Sequence, residues 1–381
     1  MKRIAALAAA LACLLLSPAA RCAAPAGPEV SAPSALLMEK STGTVLFEKD
    51  AHTQYEPASV TKVMTLLLVM EAIDAGELGW QDMVTASAHA CSMGGSQIWL
   101  EENERMSVSD MVKAVAVASA NDCAVALAEH LAGSEEAFVE EMNRRAAQLG
   151  MEHTVFRNCT GLPAEGHLSC AWDIALMSRE LVLNHPDIRG YATIWMDTLR
   201  DGQFQLSNTN RLIFHYDGAT GLKTGSTGTA LYCLSATAER EGMELIAVVM
   251  HDATSDGRFD SARALLDYGF ANWALTPVRP DQALPPVAVE LGAADAVQPV
   301  PERECVLLTQ KGREGEITTR VELAQSAAAP VEQGQRLGAL HILVDGQEVD
   351  SIPLVAAQGV ERLGVGDLFR ALLDRLLLQE G

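Results

Sequence analysis

The stretch PASVTKVMTLLLVMEAIDAG, residues 57–76, sets a serine directly before an almost wholly apolar run and a lysine three positions further on. The run is apolar up to Glu71 and stops at Gly76, the pattern of a buried helix. Lys62 therefore begins inside the folded body. Ser59 and Lys62, three apart, share a helix face and are separated by about 4.5 Å of axial rise. An ammonium in that position is costly to desolvate, so its pKa falls toward neutrality, and a neutral amine beside a hydroxyl accepts its proton. That is how a serine is activated. An isolated S-x-x-K has a simpler reading, a helix cap with a lysine that reaches the surface, so the choice rests on the rest of the chain.

The chain has 381 residues, 49% of them hydrophobic, enough for two globular domains. Its net charge of −22 argues against nucleic acid and against general adhesion to anionic lipid or wall polymer. An anionic substrate must be caught by a local cation. MKRIAALAAALACLLLSPAARCAA has two basic residues, an apolar run from Ile4 to Leu16 and then small residues, which reads as a secretory signal over 1–26. No other segment approaches the roughly 18 unbroken apolar residues of a membrane span. Of eight cysteines, Cys13 lies in the signal and Cys22 at its edge, leaving Cys91, Cys123, Cys159, Cys170, Cys233 and Cys305. Export permits disulfides, and Cys159 and Cys170, flanking a short loop, are the pair placed to form one. No C-x-x-C, H-E-x-x-H or cysteine-histidine cluster in the sequence suggests a metal, and no cofactor is expected.

Residues 34–49 read as two alternating strands around a Ser-Thr-Gly turn, a hairpin. Helical patterns follow from about 109 to 150 and from about 170 to 183; residues 230–252 read as two strands turning at Glu241-Gly242, and 258–274 as a closing helix. Strands at both ends with helices between imply an α/β (α+β) domain, 27–276, in which the first and last strands share a sheet. Pro277, Pro280, Pro285 and Pro286 mark a linker into short strands, with a hairpin turn at Asp345-Gly346: a small all-β domain, 277–357. Residues 358–381 read as an amphipathic tail helix with Leu368, Phe369, Leu372 and Leu376 on or near one stripe, fit to lie on a membrane surface or on its own domain.

Two further motifs bear on Ser59. In ASANDC, residues 118–123, Ser119 and Asn121 fall between two helical patterns and protrude from a short turn. In GLKTGST, residues 221–227, Lys223-Thr224-Gly225 precedes a strand, the reverse of the order and context of a phosphate loop. A cation, a hydroxyl and glycines on an edge strand suit capture of a carboxylate and of an extended peptide. S-x-x-K, S-x-N and K-T-G in this order are the signature shared by penicillin-binding proteins and class A β-lactamases.

The chain resembles the low-molecular-weight penicillin-binding proteins that are D-alanyl-D-alanine carboxypeptidases of the S11 serine peptidases, most closely the Gram-positive branch linked to vegetative wall trimming or sporulation. PASVTKVMT, SMGGSQ, VASANDCAVALAEH, NCTGL, GLKTGST, RFDSARALLDYGF, the trailing β domain and the C-terminal helix carry the likeness. It implies a serine-transpeptidase fold with an antiparallel sheet. Ser59 is then the nucleophile, Lys62 its base and Ser119 the proton relay. Asn121 holds the substrate amide and helps fix Lys62. Lys223 and Thr224 receive the terminal carboxylate with Arg258 assisting, Gly225 belongs to the substrate-binding strand, and the backbone N–H groups of Ser59 and Ser226 form the oxyanion hole. The implied partners are a peptidoglycan pentapeptide ending in D-Ala-D-Ala and β-lactam inhibitors, and the implied location is the outer face of a bacterial cytoplasmic membrane or the medium. Cys123 stands where a small residue is usual.

Two alternatives remain at this stage. A class A β-lactamase shares the three motifs, and ELVLN at 180–184 imitates its E-x-x-L-N, but Glu180 falls late in a helix and reads as solvated. The other is a wall- or partner-binding module that keeps the fold without turnover.

Overall fold

The structure is a computed structural model that describes residues 27–304, 306–312, 317–364 and 366. The expected signal segment, Cys13, Cys22, Cys305 and the apolar stripe Leu368, Phe369, Leu372 and Leu376 lie outside these residues.

Strands β1 (Ser34–Glu39) and β2 (Val45–Lys49) form the expected hairpin. The buried Glu39 carboxylate holds its turn, accepting from Ser41 N, Thr42 N and Thr42 Oγ1. Helix α1 (Lys62–Asp74) follows, then α2 (Val108–Ala118), α3 (Asn121–Ala132), α4 (Glu135–Gln148) and α5 (Ala171–Asn184). Serines at 107 and 134 cap α2 and α4 by accepting from the N–H groups of Asp110 and Ala137. The chain then returns as β3 (Ala219–Thr227), β4 (Leu231–Arg240) and β5 (Met243–Asp252) before α6 (Ser255–Asn272). All pairings in the five-stranded sheet β2-β1-β5-β4-β3 are antiparallel, with β1 beside β5 and the K-T-G strand β3 at an edge.

The first strand departs from the alternating pattern: every residue of β1 is buried. Leu36 and Met38 face the core shared with the helices, while Ala35 and Leu37 face a second core with Leu265, Leu266 and Phe270 of α6. The sheet is thus a middle layer between α6 and the helical block, and a strand covered on both sides reads as continuously apolar. The bridge that the sequence left open between Cys159 and Cys170 does not form. Both are buried free thiols, and Cys170 Sγ instead accepts from Asp173 N at 3.4 Å as the cap of α5.

Strand β6 (Trp273–Pro277) pairs with β10 (Val306–Gln310), so the first linker proline ends a strand. The other strands beyond residue 277 are β7 (Val287–Glu290), β8 (Ala296–Val297), β9 (Pro299–Pro301), β11 (Ile317–Leu323), β12 (Ser326–Ala328), β13 (Arg336–Val344) and β14 (Gln347–Ala356). They form a three-stranded sheet β8-β7-β12 and a four-stranded sheet β9-β14-β13-β11, with small apolar cores of their own. None of residues 358–364 is helical: Val360 bridges Val331 and Arg362 bridges Gly292, closing this domain where the sequence pattern placed the start of a tail helix.

Truncation of Leu36, which supports the helix-facing core, is expected to cost about 2–5 kcal/mol for Leu36→Ala. Denaturant unfolding followed by circular dichroism would read this as a lower midpoint with unchanged slope.

Candidate active site

Ser59 sits in a 3-10 turn, Ala58–Thr61, that runs straight into α1. Ala58 takes a left-handed φ of 47°, a conformation that persists only where the surroundings enforce it. Two glycines enforce it from opposite elements. A Cβ at Gly161, where φ is +81°, would lie 1.8 Å from Ala58 O; one at Gly225 on β3 would lie 2.8 Å from Pro57 O and 2.9 Å from Ser59 N. From below, the buried His167 ring meets Thr61 Oγ1 at 2.9 Å. His167 Nδ1 accepts from Arg157 N at 3.3 Å, which leaves Nε2 as the donor to Thr61. Burial, aided by the Arg157 charge, holds this imidazole down at about 4, so it stays neutral.

The Lys62 side chain is wholly buried, with Nζ 3.1 Å from Ser59 Oγ and donating to Thr160 O at 2.6 Å. Burial brings its pKa down from 10.5 to about 7. A neutral amine that donates to Thr160 O can point its lone pair at the Ser59 hydroxyl. The carbonyl that fixes it comes from an Asx turn in which Asn158 Oδ1 accepts from Thr160 N, Thr160 Oγ1 and Gly161 N.

Ser119 and Asn121 stand where α2 passes into α3, as their motif suggested. Ser119 is left-handed, with φ 63° and ψ 32°, and ends α2. Asn121 Nδ2 donates to Gly94 O at 2.6 Å and its backbone N–H to Ser96 O at 2.7 Å, which ties the SMGGSQ loop to the turn. Asn121 makes no hydrogen bond to Lys62 among the described residues; the contact that fixes Lys62 is Thr160 O. Ser119 Oγ and Asn121 Oδ1 are buried and without protein partners. The next residue, Asp122, is buried, and its carboxylate accepts from Ile98 N and Leu100 N, both at 3.1 Å, fastening the far end of the same loop.

On β3, Lys223 is buried and its Nζ donates to Thr224 O at 3.0 Å, while Thr224 Oγ1 donates to Thr209 Oγ1 at 2.7 Å. Burial, with the positive charges of Lys62 and Arg258 added, holds the Lys223 amine well below its usual range. Ser226 is exposed on the same strand. Arg258, in the first turn of α6, donates from Nη1 to Gly225 O at 3.0 Å and to Cys233 O at 3.4 Å, between the rings of Tyr232 and Phe259. Its Nε is buried and unpartnered. A chain of net charge −22 thus gathers basic side chains at this edge, where they repel one another until an anion arrives.

Sequence reasoning did not single out Thr160, Asn158, Thr209 or His167. The Asn158-to-Gly161 spacing, typical of an Asx turn, was the one local signal available; Thr209 and His167 are brought in by long-range packing. Glu180 is a correction: it is half-buried on α5 and accepts from Arg145 Nη2 at 2.6 Å, while Arg145 Nε also donates to Glu71. It is a structural ion pair with no contact to Ser59. None of the potential metal-binding clusters of the described residues includes a side chain of this site.

Comparison with known proteins shows the family to which the chain is related. The D-alanyl-D-alanine carboxypeptidase family of S11 peptidases matches residues 21–254, and the C-terminal domain of penicillin-binding protein 5 matches residues 275–362. The D-alanyl-D-alanine carboxypeptidase DacF of Bacillus subtilis is 41% identical over 87% of this chain and 87% of its own length; DacC of Escherichia coli is 32% identical over 88% and 86%. Penicillin-binding protein 5 from Haemophilus influenzae superposes with a TM-score of 0.74 at 30% identity, covering 89% of this chain and all of that one. Penicillin-binding protein D2 from Listeria monocytogenes, solved with ampicillin bound, gives 0.58 at 33% identity over 63% of this chain and 98% of its own.

Because a methyl at Gly225 meets the backbone of the Ser59 turn, Gly225→Ala is expected to slow covalent labelling of Ser59 by fluorescent penicillin by about 10²-fold, the scale of losing one oxyanion donor. Stopped-time labelling followed on gels checks it.

Proposed function

The chain belongs to the D-alanyl-D-alanine carboxypeptidase family and is a serine-type D-Ala-D-Ala carboxypeptidase, and from that premise we propose how its own side chains divide the reaction. The observation that carries the proposal is the buried Lys62 amine, 3.1 Å from Ser59 Oγ and held by Thr160 O. Ser59 Oγ attacks the carbonyl between the two terminal D-alanines of a peptidoglycan stem peptide, and its proton passes to Lys62 Nζ. The negative oxygen formed is stabilised by the backbone N–H groups of Ser59 and Ser226. As the C–N bond breaks, Ser119 relays the proton to the departing D-alanine nitrogen. Water then attacks the ester, Lys62 again takes the proton, and Ser59 is restored.

Lys223, Thr224 and Arg258 are assigned to the terminal carboxylate, with Gly225 letting the peptide backbone approach β3. Ser119 Oγ and Asn121 Oδ1 lack protein partners, and leaving such groups buried costs about 1–3 kcal/mol each. A substrate amide and leaving nitrogen that meet them recover this, which favours the bound peptide over water. A β-lactam presents a carboxylate and a strained amide in the same arrangement, and the ampicillin complex of the Listeria relative supports its acylation of Ser59. We assign residues 1–26 to an export signal, 27–276 to catalysis, 277–364 to a β-rich spacer whose last residues bridge back to Val331 and Gly292, and the stretch beyond it to a membrane-surface contact outside the cytoplasm. No helix among the described residues is long and apolar enough to cross a membrane.

The first test is free D-alanine released from a peptide ending in Lys-D-Ala-D-Ala. Wild type releases it and Ser59→Ala does not; equal release by both would overturn the assignment of Ser59. Since the base must be neutral, acylation is expected to rise with pH up to about 7 and level above it, falling about tenfold per unit below. Lys62→Ala removes both activity and profile. An anion beside Lys223 restores its attraction for a proton, so Lys223→Ala is expected to raise KM for the free-carboxylate peptide far more than for the same peptide amidated at its end.

A further inference from the structure

Sequence inspection showed no metal-binding pattern, yet the fold assembles one away from Ser59. His52, from the segment between β2 and the nucleophile turn, His153, from the loop after α4, and Cys170, at the cap of α5, bring ligand atoms within 4.8 Å of one another. The positions 52, 153 and 170 are too scattered for any spacing rule. Backbone contacts fix the three segments together: Trp172 N donates to Ala51 O at 3.0 Å, Tyr55 and Ser169 exchange hydrogen bonds at 2.8 and 2.9 Å, and His153 N donates to Asp173 Oδ2 at 2.8 Å. Gln54 Nε2 adds a bond to His153 O at 2.8 Å. The His52 ring leans on Trp172 and on the His153 ring, with centroids 4.9 and 5.3 Å away. Neither imidazole donates to or accepts from a protein group among the described residues, so both keep a nitrogen for a ligand.

The other three-residue cluster, Glu71, Glu180 and His185, differs in kind. Arg145 already lies between its two glutamates, so its charge is met.

We propose that His52, His153 and Cys170 form a site for a borderline-soft divalent cation, Zn2+ above all, that clamps the segment leading into the Ser59 turn to the start of α5. Imidazole and thiolate are the donors Zn2+ prefers, and its bonds of about 2.0–2.3 Å put ligand atoms in a tetrahedral site roughly 3.3–3.6 Å apart. The ligand atoms lie within 4.8 Å of one another, and the contraction falls to His52, which is exposed and whose ring makes no hydrogen bond among the described residues. Solvent on the His52 side leaves the fourth position to water. Burial pushes the Cys170 thiol up to about 12, so binding must break S–H as the metal–sulfur bond forms, with the proton leaving to buffer. Asp173 ties two of the ligand segments together through main chain, its carboxylate accepting from the His153 backbone N–H and its own N–H donating to Cys170 Sγ.

The test uses the purified protein without a metal-binding tag, under a non-thiol reductant, titrated calorimetrically with Zn2+ in buffers of different ionisation enthalpy. The expected result is one Zn2+ per chain with about one proton released, and a thermal midpoint that rises with Zn2+ concentration. His52→Ala and Cys170→Ser should each weaken binding by about tenfold or more. Serine is itself a good helix cap, so the second variant keeps α5; penicillin labelling of Ser59 in both variants verifies folding. Co2+ in place of Zn2+ should show thiolate-to-metal charge-transfer absorption that Cys170→Ser abolishes. No saturable binding, or binding and cobalt absorption unchanged in the two variants, would overturn the site.

Discussion

The Lys62 amine, buried at the first turn of a helix, is the constraint on which the other parts of the site depend. Its pKa near 7 against 10.5 in water amounts to about 5 kcal/mol disfavouring the ammonium. The sign follows from linkage: the unfolded chain holds a proton that the folded chain does not, so stability rises with pH from about 7 to about 10.5. What the fold gains for this cost is a base that is neutral at physiological pH within reach of a hydroxyl. The neutral state in turn needs a carbonyl to orient it, which the Asx turn at Asn158 supplies through the oxygen of Thr160.

Backbone proximity is the second requirement. The Ser59 turn lies between Gly161 and Gly225, each so close that a methyl group would strike main-chain atoms. One glycine belongs to the loop that supplies Thr160 O and the other to the K-T-G strand, so Lys62, Ser59 and Lys223 are set against one another by main chain. Catalysis that relies on placement gains from rigidity of this kind. The basic groups of β3 and α6 complete it: burial, with the neighbouring positive charges, holds the Lys223 amine well below its usual range, and a carboxylate beside it would favour the ammonium.

Much of this was legible in the residues. The apolar run after Lys62, the break at Ser119 and the order of K-T-G before a strand each carry a local signal, and the structure puts them on one helix start, one turn and one edge strand. The readings that failed did so where distant chain intervenes. β1 is not half-exposed, because α6, more than 200 residues on, covers its second face. Glu180 is not solvated, because Arg145 of another helix reaches it. Thr160 acts through its carbonyl, which no side-chain motif records.

The measurement that tests the central claim most directly is the titration of Lys62 itself, by NMR of protein carrying 13C and 15N lysine, with Lys62→Met used to assign its signal. A side-chain titration near pH 7 is the result the account predicts. A signal that stays protonated to about pH 10, the range of a solvated lysine, would contradict it.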